Sequence, residues 1–133
     1  MSGNFGYELD VALFTEEERA LAVSQVKLYK EIRDLVQTGN LYRLRNPFEG
    51  DDAAWIIVSS DRSEAVAFHF STLCEANCPE PIVRLAGLDP DFRYRIDAEG
   101  PVVGGDQLMY AGLRLHGYSG DFQGRMWRLK KIE

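Results

Sequence analysis

Long apolar runs are missing from this 133-residue chain. The longest, such as residues 53–58, fall far short of the roughly 20 residues a membrane-spanning helix requires, so no membrane partner is expected. Basic residues are outnumbered: 15 Lys and Arg against 21 Asp and Glu give a formal charge of −6. Nucleic-acid binding at large needs a basic face that displaces phosphate counterions, so no nucleic-acid partner is expected either. Cysteine is scarce, with only Cys74 and Cys78, too few for a disulfide framework. The opening residues, Met1-Ser2-Gly3-Asn4, lack the basic stretch and apolar core of a secretory signal. These features favour reduced thiols and a cytoplasmic location.

Catalytic signatures are also sparse. The two histidines, His69 and His116, read as a packed residue within a strand and a loop residue. The pair Cys74-x3-Cys78 has no second pair to complete a zinc site, so no metal ligands are assigned and no cofactor is expected. Neither a nucleophile elbow nor a phosphate loop occurs. The acidic groups Glu49/Asp51/Asp52 and Asp89/Asp91 flank turns, where Asp bonds its own backbone. That role is favoured over calcium binding. Tyr42, Phe48, Trp55, Tyr94, Tyr118 and Trp127 are either core residues or a sugar-stacking platform, the core being the commoner use at a period of two.

What is present is a clear order of elements. Apolar residues make up 45% and charged residues 27%, an ordinary globular balance, and a chain near this length buries close to 70% of its unfolded surface. Phe5–Val11 alternates and reads as a short strand. Thr15-Glu16-Glu17-Glu18 is a capping box, with acidic residues suited to the positive end of a helix dipole. Behind it Leu21, Leu28, Ile32 and Leu35 share one helical face, predicting a helix over Glu16–Gln37 with Gly39 as its stop. The period then changes to two. Strands are predicted at Asn40–Arg45, Ala53–Ser59, Glu64–Leu73, Ile82–Leu85, Phe92–Ile96, Val102-Val103 and Phe122–Ile132, with 106–115 ambiguous. The nearly continuous apolar run of Ala53–Ser59 suggests a strand buried on both faces. Many short strands at 8–12-residue spacing suggest an antiparallel sandwich or barrel. A lone strand–helix–strand unit ahead of them suggests a piece of a larger parallel sheet.

Several motifs then resemble one family. Ser2-Gly3-Asn4-Phe5-Gly6-Tyr7-Glu8-Leu9-Asp10 resembles a segment of the bacterial α-galactosidases of glycoside hydrolase family thirty-six. Leu28-Tyr29-Lys30-Glu31-Ile32-Arg33, Tyr42-Arg43-Leu44, Pro47-Phe48-Glu49-Gly50, Ala53-Ala54-Trp55, Gly87-Leu88-Asp89-Pro90, Leu108-Met109 with Ala111-Gly112-Leu113, and Gly120-Asp121-Phe122-Gln123 follow in the family's order. Gly124 departs from the small polar residue expected there.

The resemblance implies an α+β fragment: the terminal strand–helix–strand of a (β/α)8 catalytic barrel over 1–46, then a small antiparallel β-sandwich of Greek-key type over 47–133. It implies a retaining glycosidase acting on α-galactoside oligosaccharides such as melibiose or raffinose. Both catalytic aspartates would lie in barrel segments upstream, so no catalytic residue is assigned here. Asp10, near the end of the expected barrel strand, is the one candidate for substrate binding, against a plain loop carboxylate. The helix face of Leu21, Leu28, Ile32 and Leu35 should be covered by the sandwich, by a second copy in a homo-oligomer, or by neighbours in a crystal. The alternative to a structural sandwich is a stand-alone carbohydrate-binding or interaction module.

Overall fold

The computed structural model describes residues 3–74, 80–117 and 120–132. Helix α1 spans Glu16–Thr38. Its capping box is formed: the Thr15 hydroxyl accepts from the Glu18 N–H at 3.2 Å, and the Glu18 carboxylate accepts from the Thr15 N–H at 2.9 Å. Those bonds from Thr15 hold the Glu18 carboxyl below its ordinary pKa. Thr15→Ala removes the hydroxyl's bonds to the Glu18 N–H and carboxylate and leaves only the backbone N–H bond to Glu18. It is expected to cost about 1 kcal/mol, read as a fall of about 4 °C in the thermal midpoint.

Gly39 ends the helix, for a different reason than a left-handed cap. Its backbone is extended, but a Cβ there would lie 2.6 Å from Ile57 Cγ2 and 2.6 Å from the Leu35 carbonyl. Glycine is required because the chain passes this close to the sheet.

The strands are β1 (Asn40–Arg45), β2 (Asp52–Val58), β3 (Glu64–Ser71), β4 (Ile82–Val83), β5 (Arg93–Ile96), β6 (Val102–Gly104), β7 (Leu113–Arg114) and β8 (Gln123–Lys131). Six form one sheet in the order β1-β2-β3-β8-β5-β6, and β4 pairs with β7. Every pairing among the described residues is antiparallel. The segment 106–115, ambiguous in sequence, resolves into a short helix α2 (Gly105–Tyr110) and β7, with Gly112 between them at φ +90°.

Two expectations need correction. The strand read over Phe5–Val11 does not form. Strand N–H and C=O groups need a neighbouring ladder, and no described strand pairs with this segment. Instead Val11–Leu13 closes a single 3-10 turn. The strand–helix–strand reading fails at its other end too, because β1 is the edge strand of the large sheet, antiparallel to β2. The sheet thus begins at Asn40, ahead of the expected junction at 46–47. The second layer is also slighter than a full sandwich sheet, consisting of the β4–β7 ribbon and α2.

Burial follows the pleat. Ala54, Ile56 and Val58 of β2, Ala65 and Ala67 of β3, and Leu129 of β8 face the second layer, where Val83, Leu85, Leu108 and Leu115 close the main core. On the opposite face Ile57, Val66 and Phe68 are buried against Leu35 and Val36 of α1. This is why β2 reads as a continuous apolar run: helix covers one side and the ribbon the other. Ile56 and Val66 are fully buried, each stabilising the fold by about 1.5–3 kcal/mol relative to exposure.

The β2–β3 turn is held by Asp61, whose carboxylate accepts from the Ser59 hydroxyl at 2.7 Å and from the Ser63 N–H at 3.0 Å. These bonds, the Ser59 hydroxyl's foremost, lower its pKa to about 2. A lowered carboxylate pKa stabilises the fold above the group's unfolded value, near pH 4, and the benefit disappears as pH falls through the folded value. The Asp61 carboxyl is therefore expected to titrate near pH 2 by NMR, with the Ser63 amide still protected at pH 3. A midpoint near 4 would mean the bonds do not persist in solution.

Candidate functional site

Of the acidic residues singled out in the sequence, Asp89 and Glu49 serve their turns, whereas Asp52 lies in β2 and bonds across strands. The Asp89 carboxylate accepts from the Asp91 N–H at 3.0 Å and lies 3.7 Å from Arg62. In the 46–52 turn the Asn46 carboxamide accepts from the Phe48 N–H and donates to Glu49. Asp52 joins a polar cluster: its Oδ2 lies 3.0 Å from His69 Nε2 and 2.8 Å from Arg45 Nη1. Arg45 also donates to the Ile82 carbonyl at 2.8 Å. His69 is thus packed within its strand, tying the sheet to the second layer. His116 is exposed and lies 2.9 Å from Glu80. Among the described residues no three His, Cys, Asp or Glu side chains converge to hold a metal, and no helix is long and apolar enough to cross a membrane. The Cys74 N–H donates to Asp121, and Cys78 lies outside the described residues.

The aromatics do not share one solvated face. Tyr94 is fully buried, whereas Phe48 is 94% exposed. Trp127 packs against the main core. Tyr42 stands opposite Ile56 on the core side, while Trp55 faces the helix side. Tyr118 lies outside the described residues. Sequence reasoning missed the partners of Trp55, namely Phe68 and Phe70, which stack on it at 5.6 and 5.3 Å. Their period-two spacing on the returning strand was the available signal.

The large concavity is a groove of about 720 Å³ between the N-terminal segment and α1. The segment is held to the helix by ring contacts: Phe5 on Tyr29 at 5.4 Å, Phe5 on Tyr7 at 5.3 Å, and Tyr7 on Phe14 at 5.9 Å. The Tyr7 hydroxyl donates to Gln25. Val11, Phe14, Ala22, Val23 and Val26 line the groove, with Arg19, Lys27 and Lys30 beside them. Tyr7 and Glu31 complete a lining in which apolar side chains predominate, so the groove suits apolar packing. Leu9, Val11, Leu13, Leu21 and Val23 are all more than half exposed. The helix face expected to be covered is therefore split: Ile32 and Leu35 meet the sheet, and Leu21 stays open. Asp10 stands exposed at the edge of this region, where its Oδ1 accepts from the Ala12 N–H at 3.0 Å and caps the 3-10 turn.

Residues 52–129 match the family model described as the glycosyl hydrolase family 36 C-terminal domain. The chain belongs to that family. Its relatives share the family 36 domain at high identity. The α-galactosidase AgaA of Geobacillus stearothermophilus is 53% identical over 133 residues, covering 100% of this chain and 18% of AgaA. The α-galactosidase Mel36A of Lactobacillus acidophilus is 39% identical, covering 99% of this chain and 18% of Mel36A. The crystal structure of the Geobacillus stearothermophilus α-galactosidase AgaB superposes with a TM-score of 0.94 at 55% identity, covering 98% of this chain and 18% of AgaB. A variant of AgaA was solved in complex with raffinose and superposes at a TM-score of 0.92. This family 36 domain thus spans about a fifth of the length of the relatives it matches.

Proposed function

We propose that the chain is the C-terminal part of a retaining α-galactosidase that removes terminal α-galactosyl groups from oligosaccharides of the raffinose and melibiose type. The observation that carries this is the pairing of 53% identity across the whole chain with only 18% coverage of AgaA. In a retaining enzyme two carboxylates about 5–5.5 Å apart flank the scissile bond, one attacking the anomeric carbon and the other protonating the leaving oxygen. We assign both to a (β/α)8 barrel upstream and neither to this chain. The residues ahead of Asn40 are then the end of that barrel, and the structural domain begins with β1, moving the expected boundary of 46–47 toward the N-terminus. The barrel wall seats in the groove between the N-terminal segment and α1, whose apolar lining and open leucines and valines support this use. Burying each such side chain there stabilises the assembly by about 1.5–3 kcal/mol.

Asp10 is proposed to reach the substrate: the upstream barrel would give residues 5–10 the strand partner they lack in this chain, and active sites of such barrels lie at the C-terminal ends of the strands. In the whole enzyme Asp10→Asn should raise KM for raffinose several-fold with an unchanged thermal midpoint. Unaltered kinetics would leave Asp10 as a turn cap alone. The acidic, cysteine-poor composition supports a cytoplasmic enzyme. The scattered aromatics weigh against a carbohydrate-binding module, and saturable millimolar binding of galactose or raffinose to this domain would overturn that assignment.

A further inference from the structure

We infer that the open end of the helix-side sheet face, around Trp55 and Phe70, is a docking strip for a second helix that lies alongside α1 and belongs to the same polypeptide. The inference rests on the proposed α-galactosidase body, since that body would supply the helix.

Helix α1 covers only one end of this face. Glu31 pairs with Arg128 on β8 at 2.6 Å. Leu35 and Val36 pack on Ile57, Val66 and Phe68, and Gly39 reaches Ile57 and Val58 on β2. The helix thus crosses β8, β3 and β2 at a single level. Beyond it burial falls along β3, from 0% exposure at Val66 to 4% at Phe68 and 44% at Phe70. Val66 and Phe70 are separated by about 13 Å along the strand. A helix with its side chains is about 10–12 Å across, and packed helices lie about 8–10 Å apart. Phe70 therefore falls under the next helix position, continuous with the strip α1 already fills.

The strip is shaped for packing. Gly124 stands opposite Phe70, and a Cβ there would come 3.0 Å from the Phe70 ring, so glycine lets the ring lean across β8. Met126 lies half-buried beside it on β8. A sugar needs a free aromatic face, but the Trp55 ring is already stacked on both Phe68 and Phe70. Arg43 stands in register with Trp55 on the edge strand. Its side chain is exposed and makes no hydrogen bond or ion pair among the described residues. The docking helix accordingly presents apolar residues to Trp55 and Phe70 and a carboxylate to Arg43.

The test uses the whole enzyme with Phe70→p-benzoylphenylalanine, and Ser60→p-benzoylphenylalanine in the exposed turn as control. Irradiation followed by peptide mass spectrometry should give an adduct within one polypeptide, to a helical peptide upstream of residue 1 that contains Asp or Glu. Its yield should exceed the control at least tenfold. Arg43→Glu should lower the thermal midpoint, and reversing the acidic residue found in the adduct should restore it. An adduct between light and heavy isotope-labelled subunits, or none above control, overturns the docking strip. Galactosidase activity of the same enzyme separates the two readings: an active enzyme without the adduct sinks only the strip, whereas an inactive one sinks the proposed function.

Discussion

Tyr94→Ala is expected to destabilise the protein by about 3–5 kcal/mol, the range for emptying a buried aromatic site. Tyr94 has no exposed surface. Its hydroxyl donates to the Arg62 carbonyl at 2.8 Å and accepts from the Asp89 N–H at 3.0 Å. It therefore ties the β2–β3 turn, where Arg62 holds a left-handed φ of 59°, to the turn before β5. Burial pushes its phenol above the ordinary pKa, as befits a hydroxyl that works as a neutral donor. Tyr94→Phe keeps the ring and strands both backbone groups, so about 1–3 kcal/mol is expected. Urea denaturation of the two variants separates packing from hydrogen bonding; equal losses would mean the hydroxyl carries the whole effect.

Gly105→Val is expected to be as damaging. A Cβ at Gly105 would lie 1.9 Å from the Asp89 carbonyl oxygen and 3.1 Å from the Tyr94 ring. The obstacle is backbone, so no side chain can swing aside. The Gly105 N–H donates to the Phe92 carbonyl at 2.8 Å, so the peptide cannot retreat without losing that bond. Even Gly105→Ala should reach the upper end of the about 1–3 kcal/mol typical of overpacking, and Val should exceed it. Because Tyr94 and Gly105 touch the same turn, their losses should not add. A wild-type urea midpoint for Gly105→Ala would show that the turn is looser than described.

Local signals in the sequence carried most of the elements. The capping box, the period change after Gly39 and the apolar run of β2 each rest on neighbouring residues, and each appears where local chemistry places it. Phe5–Val11 failed because alternation reports a face, whereas a strand also needs a ladder partner that no local pattern supplies. The partner of β1 was misread for the same reason, since pairing is a long-range choice. Gly124 looked like a departure until the structure set Phe70 across from it; a cross-strand contact of this kind has no trace in linear spacing. The groove beside α1 is lined on the helix by Ala22, Val23 and Val26, not by the leucines singled out in the sequence, and its second wall joins Tyr7 and Val11, read as strand, to Phe14 beyond it.

The proposed division of labour gives this chain the scaffold and places the sugar-cleaving carboxylates upstream. The direct measurement is turnover of a nitrophenyl α-galactoside by the purified 133-residue chain, with circular dichroism confirming that it is folded. No release above the buffer rate is predicted, with activity appearing only when the upstream portion of the enzyme is added. Saturable turnover by the folded chain alone would contradict the account.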